Sequence, residues 1–158
     1  IFETSNESQI IAKYIDVKFN LGLFPRKFGG LQNLIWRHIE NDVEIICAKL
    51  NDIYFEEFVP KNESLLYLRH KERKYGIGCI EEWKMEQQAL LMELEKWLWY
   101  YEQMLFEKDF LLGEKPVFID FDLYGMLGMF LYTNHYKLPS AYNRLIEWHK
   151  RMETVKFV

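Results

Sequence analysis

The chain has 158 residues, enough for one domain with its own core. Apolar residues make up 49% and aromatics 17%, which excludes a disordered chain and favours bulky helix–helix seams, with room for an apolar pocket between them. The net charge of −4 comes from acids and bases interleaved along the chain, with no basic stripe, so nucleic acid is not expected as a partner.

In chain order, Ile1-Phe2 reads as the tail of an extended segment, and the absence of a starting Met makes the chain read as part of something longer. Thr4-Ser5-Asn6-Glu7 has the form of a capping box, and Ser8 is a second cap for a helix that carries Ile10, Ile11, Tyr14, Ile15 and Val17 and ends near Phe19. Asn20–Gly30 holds Gly22, Pro25, Gly29 and Gly30 and reads as a linker. From Leu31 to about Phe55, Trp36, Ile39, Val43, Ile46, Leu50 and Ile53 alternate in steps of three and four, one clean helical face.

Pro60-Lys61-Asn62 breaks that helix. A short charged helix, Glu63–Lys74, stops at Gly76-Ile77-Gly78. The longest helix is expected from Ile80 to Phe106, with Gln87 the one polar residue on its apolar face. Phe110–Pro116 turns into Phe118–Tyr132, whose apolar residues run all the way round and call for cover on every side. That run carries Asp120 and Asp122 and is too short to span a membrane. Gly125 and Gly128 would let neighbouring helices approach. After the Asn134–Pro139 turn, Ser140–Glu153 forms the last helix. The expected fold is an all-α bundle around a central buried helix.

Few residues carry chemistry. His38, His70, His135 and His149 lie in no HExxH and follow no Glu at the spacing a di-iron site needs, so no metal is expected. No GxSxG, P-loop or GxGxxG is present. Cys47 and Cys79 match no zinc spacing and read as reduced, buried thiols, which fits a cytoplasmic protein. Glu7-Ser8 has a logic of its own. A helix N-terminus with a hydroxyl binds a carboxylate, and an adjacent glutamate accepts from an ammonium, which suits the α-amino-acid end of a small molecule. The same two residues can equally act as caps alone.

Glu7-Ser8-x-x-Ile11-x-x-Tyr14-Ile15 resembles the ESxxIxxYL pattern with which glutathione transferases close their thioredoxin-like N-terminal domain. Gly113-Glu114-Lys115-Pro116-Val117-Phe118-Ile119-Asp120-Phe121 resembles the GxxPSxADx segment of the same family, with Val117 standing where a Ser or Thr is usual. The resemblance implies three parts: a remnant of the glutathione-binding domain at 1–19, a linker at 20–30 and a helical C-terminal domain at 31–158. It implies that Glu7 and Ser8 hold glutathione, that Asp120 is a structural cap of the central helix, and that the catalytic residue lies outside this chain. It also implies a homodimer. Asn51, Tyr54 and Phe55 would line a pocket for a small apolar electrophile, or else be ordinary core residues. Arg69-x-x-x-Arg73-x-x-Gly76 is similar to the layout of bacterial β-etherase-like transferases. A non-catalytic protein–protein interaction module of the same shape is the other function to weigh.

Overall fold

The computed structural model describes residues 8–156, and these form an all-α fold whose only β feature is an isolated bridge between Phe110 and Gly113. The helices are α1 (Ser8–Phe19), α2 (Gly29–His38), α3 (Glu44–Asp52), α4 (Ser64–Tyr75), α5 (Cys79–Met104), α6 (Phe118–Leu131) and α7 (Asn143–Met152). The Thr4 capping box lies outside the described residues.

The first long helix starts earlier than expected. A 3₁₀ turn at Arg26–Phe28 runs straight into α2 at Gly29, so the tail of the glycine-rich segment is already helical. The two glycines fall in the first turn, whose amides need no partner four residues back. The helix is also not uniform. A π-helical segment, Ile39–Val43, joins α2 to α3, and the Glu44 amide bonds the Ile39 carbonyl five residues back. Ile35, Ile39, Val43 and Cys47 are all buried and are spaced by fours. Four residues turn an α-helix by about 400°, so such a stripe drifts, and one wider turn takes up the surplus. The same rotation buries Ile35 and Gln32 and leaves Trp36 half-buried.

Gly76 (φ 103°) and Gly78 (φ 79°) reverse the chain between α4 and α5, in a backbone region that side chains with a Cβ avoid. The Glu72 carboxylate accepts the Gly78 amide at 3.1 Å and fixes the corner. α5 then runs along α3, and α6 packs against α2, the π segment and α3 on one side and α7 on the other. Leu111, Ile119, Leu123, Leu127, Leu145 and Trp148 are fully buried around this centre. Side chains of this size each contribute about 1.5–3 kcal/mol through burial.

α6 is the buried centre, yet it is not covered on every side. A Cβ built on Gly125 or Gly128 meets nothing within 4 Å, and Tyr132 is 64% exposed. The glycines do not mark a close helix approach. They lie on a strip of α6 that offers little side-chain area for a neighbour to bury.

Two buried carboxylates tie the bundle together. Asp120, fully buried, accepts the Leu111 amide and the Trp148 indole on Oδ1 and the Val117 amide on Oδ2, each at 2.9 Å. Burial pushes its pKa up, while these three bonds work in the opposite direction. Glu102 of α5 accepts the Leu145 amide at 2.8 Å and the Arg144 amide at 3.4 Å, which satisfies free N–H groups at the start of α7. No sequence pattern pointed to Glu102, because an acid in the last turn of a long charged helix reads as solvated.

Candidate functional site

Polar contacts tie α1 to α2 and to the connection between the two helices. The Gln9 amide donates to Asn33 Oδ1 at 2.9 Å, and Asp16 accepts the Leu23 amide at 2.7 Å. Its aliphatic side faces away: Ile10, Ile11, Tyr14 and Ile15 are all exposed, Tyr14 by 63%. Beside this helix, Phe24 stacks on Phe118 at 4.9 Å, with the Lys13 ammonium 5.7 Å from the Phe24 ring. Ser8 opens α1, but its side chain, like the whole of Glu7, lies outside the described residues.

Asn51, Tyr54 and Phe55 sit where α3 ends. Asn51 is 6% exposed, and its Oδ1 has no partner. Phe55 is buried and stacks on Tyr67 at 5.4 Å. Tyr54 lies under the His135 ring at 3.7 Å, and Gln87 donates to Tyr54 Oη at 3.0 Å and Tyr136 Oη at 2.7 Å. Gln87, the polar exception on the α5 face, thus holds two tyrosines from two different connections. Burial pushes the Tyr136 phenol up to about 12. His135 pairs with Glu57 at 2.7 Å, while Tyr67 donates to Asp52 Oδ1 at 2.6 Å and Lys71 pairs with the other oxygen of that carboxylate. The cluster staples the α3 end to α4, α5 and the α6–α7 connection.

The two predicted groups are not brought together. Asn33, beside the start of α1, and Asn51 stand eighteen residues apart on one helical column, roughly 27 Å at 1.5 Å per residue. A fully extended tripeptide spans at most about 11 Å. A thiol on a tripeptide held at the start of α1 would therefore fall short of Tyr54.

A surface groove of about 510 Å³ lies elsewhere, on the outer side of α5, between Met92, Glu95, Lys96, Trp99, Tyr100 and Tyr142. Among the described residues no cluster of three or more His, Cys, Asp or Glu is arranged to hold a metal ion, and no helix is long and apolar enough to cross a membrane. Cys47 and Cys79 are free and buried, and burial pushes the Cys47 thiol far above its usual range.

Residues 74–157 match the family described as glutathione S-transferase, C-terminal domain. No curated protein and no solved structure matches the chain.

Proposed function

The chain belongs to the glutathione S-transferase C-terminal domain family, and from that premise we propose that it is the helical half of an enzyme that uses glutathione against an apolar electrophile. The observation that carries this reading is α1: a helix anchored to the bundle by polar bonds on one side, with Ile10, Ile11, Tyr14 and Ile15 uncovered on the other. A thioredoxin-like unit packed on that face would bury them and set its own glutathione-binding loops beside the start of α1. There the helix N-terminus and the Ser8 hydroxyl would hold the γ-glutamyl carboxylate, and Glu7 its ammonium. The thiol would act as thiolate, activated by a residue of that unit.

The Phe24–Phe118 stack, approached by Lys13 of α1, is the apolar wall assigned in this proposal to the electrophile pocket, in place of Asn51, Tyr54 and Phe55. The charged helix α4 is the feature that supports a β-etherase-like placement within the family. Two free, buried thiols support a reducing compartment.

The full open reading frame expressed with its preceding residues tests the proposal. Glutathione resin is expected to retain it, and Ser8→Ala to weaken retention by about tenfold, the loss of one hydrogen bond to a charged group. Tyr54→Phe is expected to leave conjugation of a chlorodinitrobenzene within about twofold, since the phenol lies out of a tripeptide's reach. A full-length protein that neither binds glutathione nor conjugates that electrophile would be an interaction module instead.

A further inference from the structure

Charges that are interleaved along α4 separate in space. Tyr67, Leu68, Lys71 and Glu72 form its inner side, and their polar groups are engaged there: Tyr67 and Lys71 hold the Asp52 carboxylate, and Glu72 accepts the Gly78 amide. Helical spacing puts Leu65, Leu66, Arg69, His70, Arg73 and Lys74 on the outer side, and all six are exposed. That face holds no carboxylate, although the chain as a whole carries a net charge of −4. Arg69 and Arg73 stand one turn apart, and among the described residues neither is paired with an acid. Aliphatic side chains close the row at both ends. Leu65 and Leu66, 59% and 72% exposed, begin it, and Ile77, 95% exposed, projects just beyond it from the turn between Gly76 and Gly78.

We propose that the outer face of α4 docks on an anionic phospholipid surface. Arg69, Arg73 and Lys74 meet the negative headgroups, while Leu65, Leu66 and Ile77 enter the boundary between headgroups and acyl chains. Charge and shape select this occupant. The cations are of one sign, and the two guanidiniums have no internal partner to give up, so an anionic surface gains their full attraction. The outer side of a single helix is convex and, at 12 residues, roughly 18 Å long. Such a face offers a peptide no groove to enter, but it lies flat along a bilayer, and a basic helix face with aliphatic residues beside it is the pattern of helices that rest in the membrane interface. The contact is peripheral, since no described helix is long and apolar enough to cross a membrane. The face is also presented ready-made: the Phe55–Tyr67 stack and the Asp52 contacts hold α4 on the bundle, so docking does not first have to order the helix. This inference stands on α4 alone and is independent of glutathione binding.

Co-sedimentation of the full-length protein with lipid vesicles tests it. Binding is expected to vesicles of phosphatidylcholine containing about one-third phosphatidylserine, weakening as salt is raised, with little binding to phosphatidylcholine alone. One cation at such a surface contributes about a fivefold factor, so Arg69→Gln combined with Arg73→Gln is expected to weaken partition by about thirtyfold. Glutamine keeps the helix propensity of arginine, and the helical circular dichroism spectrum is expected to stay unchanged. The same loss of charge made at Lys115 and Lys150, both exposed elsewhere on the bundle, is expected to leave partition within about twofold. Leu66→Ser combined with Ile77→Ser is expected to weaken it by about tenfold, because those side chains would no longer enter the lipid. Equal binding to both kinds of vesicle, or to neither, overturns the proposal. So does partition that either pair of α4 changes leaves intact, or that the Lys115 and Lys150 changes weaken as much as the arginine pair does. A protein that ignores vesicles but is retained on polyglutamate resin, and loses that retention with Arg69→Gln and Arg73→Gln, has an acidic protein as its partner instead, and the lipid proposal falls.

Discussion

Asp120→Ala is expected to lower the stability of the domain by about 3–5 kcal/mol, as read by urea unfolding. The change leaves two buried amides, of Leu111 and Val117, and the Trp148 indole without an acceptor. Each stranded donor costs about 1–3 kcal/mol, against a total of about 5–15 kcal/mol for a domain of this size. The effect is large because the three donors come from three places: the turn before α6, the residue that starts α6, and α7. One carboxylate holds the central helix to the segments on both sides of it. Val117 offers no hydroxyl to accept a first-turn amide of α6, so of the two reciprocal bonds of a capping box only the one from the Val117 amide to the Asp120 carboxylate is made by a side chain. Trp148→Phe removes a single donor while keeping most of the ring, and is expected to cost about 1–2 kcal/mol. If Asp120→Ala loses less than Trp148→Phe, the carboxylate is not the node described here.

The second large effect depends on pH. Asp122 lies on α6 with Oδ2 buried and unpartnered, and burial followed by the charges of Glu40 and Glu44 pushes its pKa up to about 7. An unfolded aspartate titrates near about 3.9. Between those two values the folded chain holds a proton that the unfolded chain has released. The stability contributed by neutral Asp122 is therefore complete below about pH 4 and is lost as the pH rises through about 7. Three pKa units correspond to roughly 4 kcal/mol, and partial exposure with ionic screening reduces this to about 1–3 kcal/mol. Asp122→Asn is expected to leave the melting temperature nearly unchanged at about pH 4 and to raise it by several degrees at about pH 8. Glu44, also raised by burial and then by Glu40, adds a slope of the same sign that the variant keeps. Equal shifts at both pH values would mean that the charge on Asp122 is not what the folded state resists.

Much of this architecture was legible in the residues. The three-and-four alternation from Trp36 to Ile53 and from Ile80 to Met104 identified two long helices, because apolar periodicity and helical geometry are the same constraint. The glycine pair around Ile77 marked a chain reversal for the same kind of reason: positive φ is affordable at glycine. The all-round apolar pattern of Phe118–Leu131 marked the centre of the bundle. What periodicity missed was local: the π turn, whose signal is a run of four-residue steps at Ile35, Ile39, Val43 and Cys47 that a three-and-four template absorbs.

By itself the sequence determined the class of fold, the order of its helices and the residues that hold the core, since these follow from backbone preferences and burial summed along the chain. Only the tertiary structure decided which polar residues work. Glu102 reads as an ordinary position on a charged helix and Gln87 as a polar exception on an apolar face, yet one caps α7 and the other bridges two tyrosines, because their partners lie as far as 43 and 49 residues away in the chain. The structure also parted Ser8 from Tyr54 by the length of a helix. It left the Gly125–Gly128 strip of α6 open and gave α5 an exposed outer stripe. A one-dimensional pattern shows that a face is apolar, but what covers that face is a matter of which surfaces meet in space.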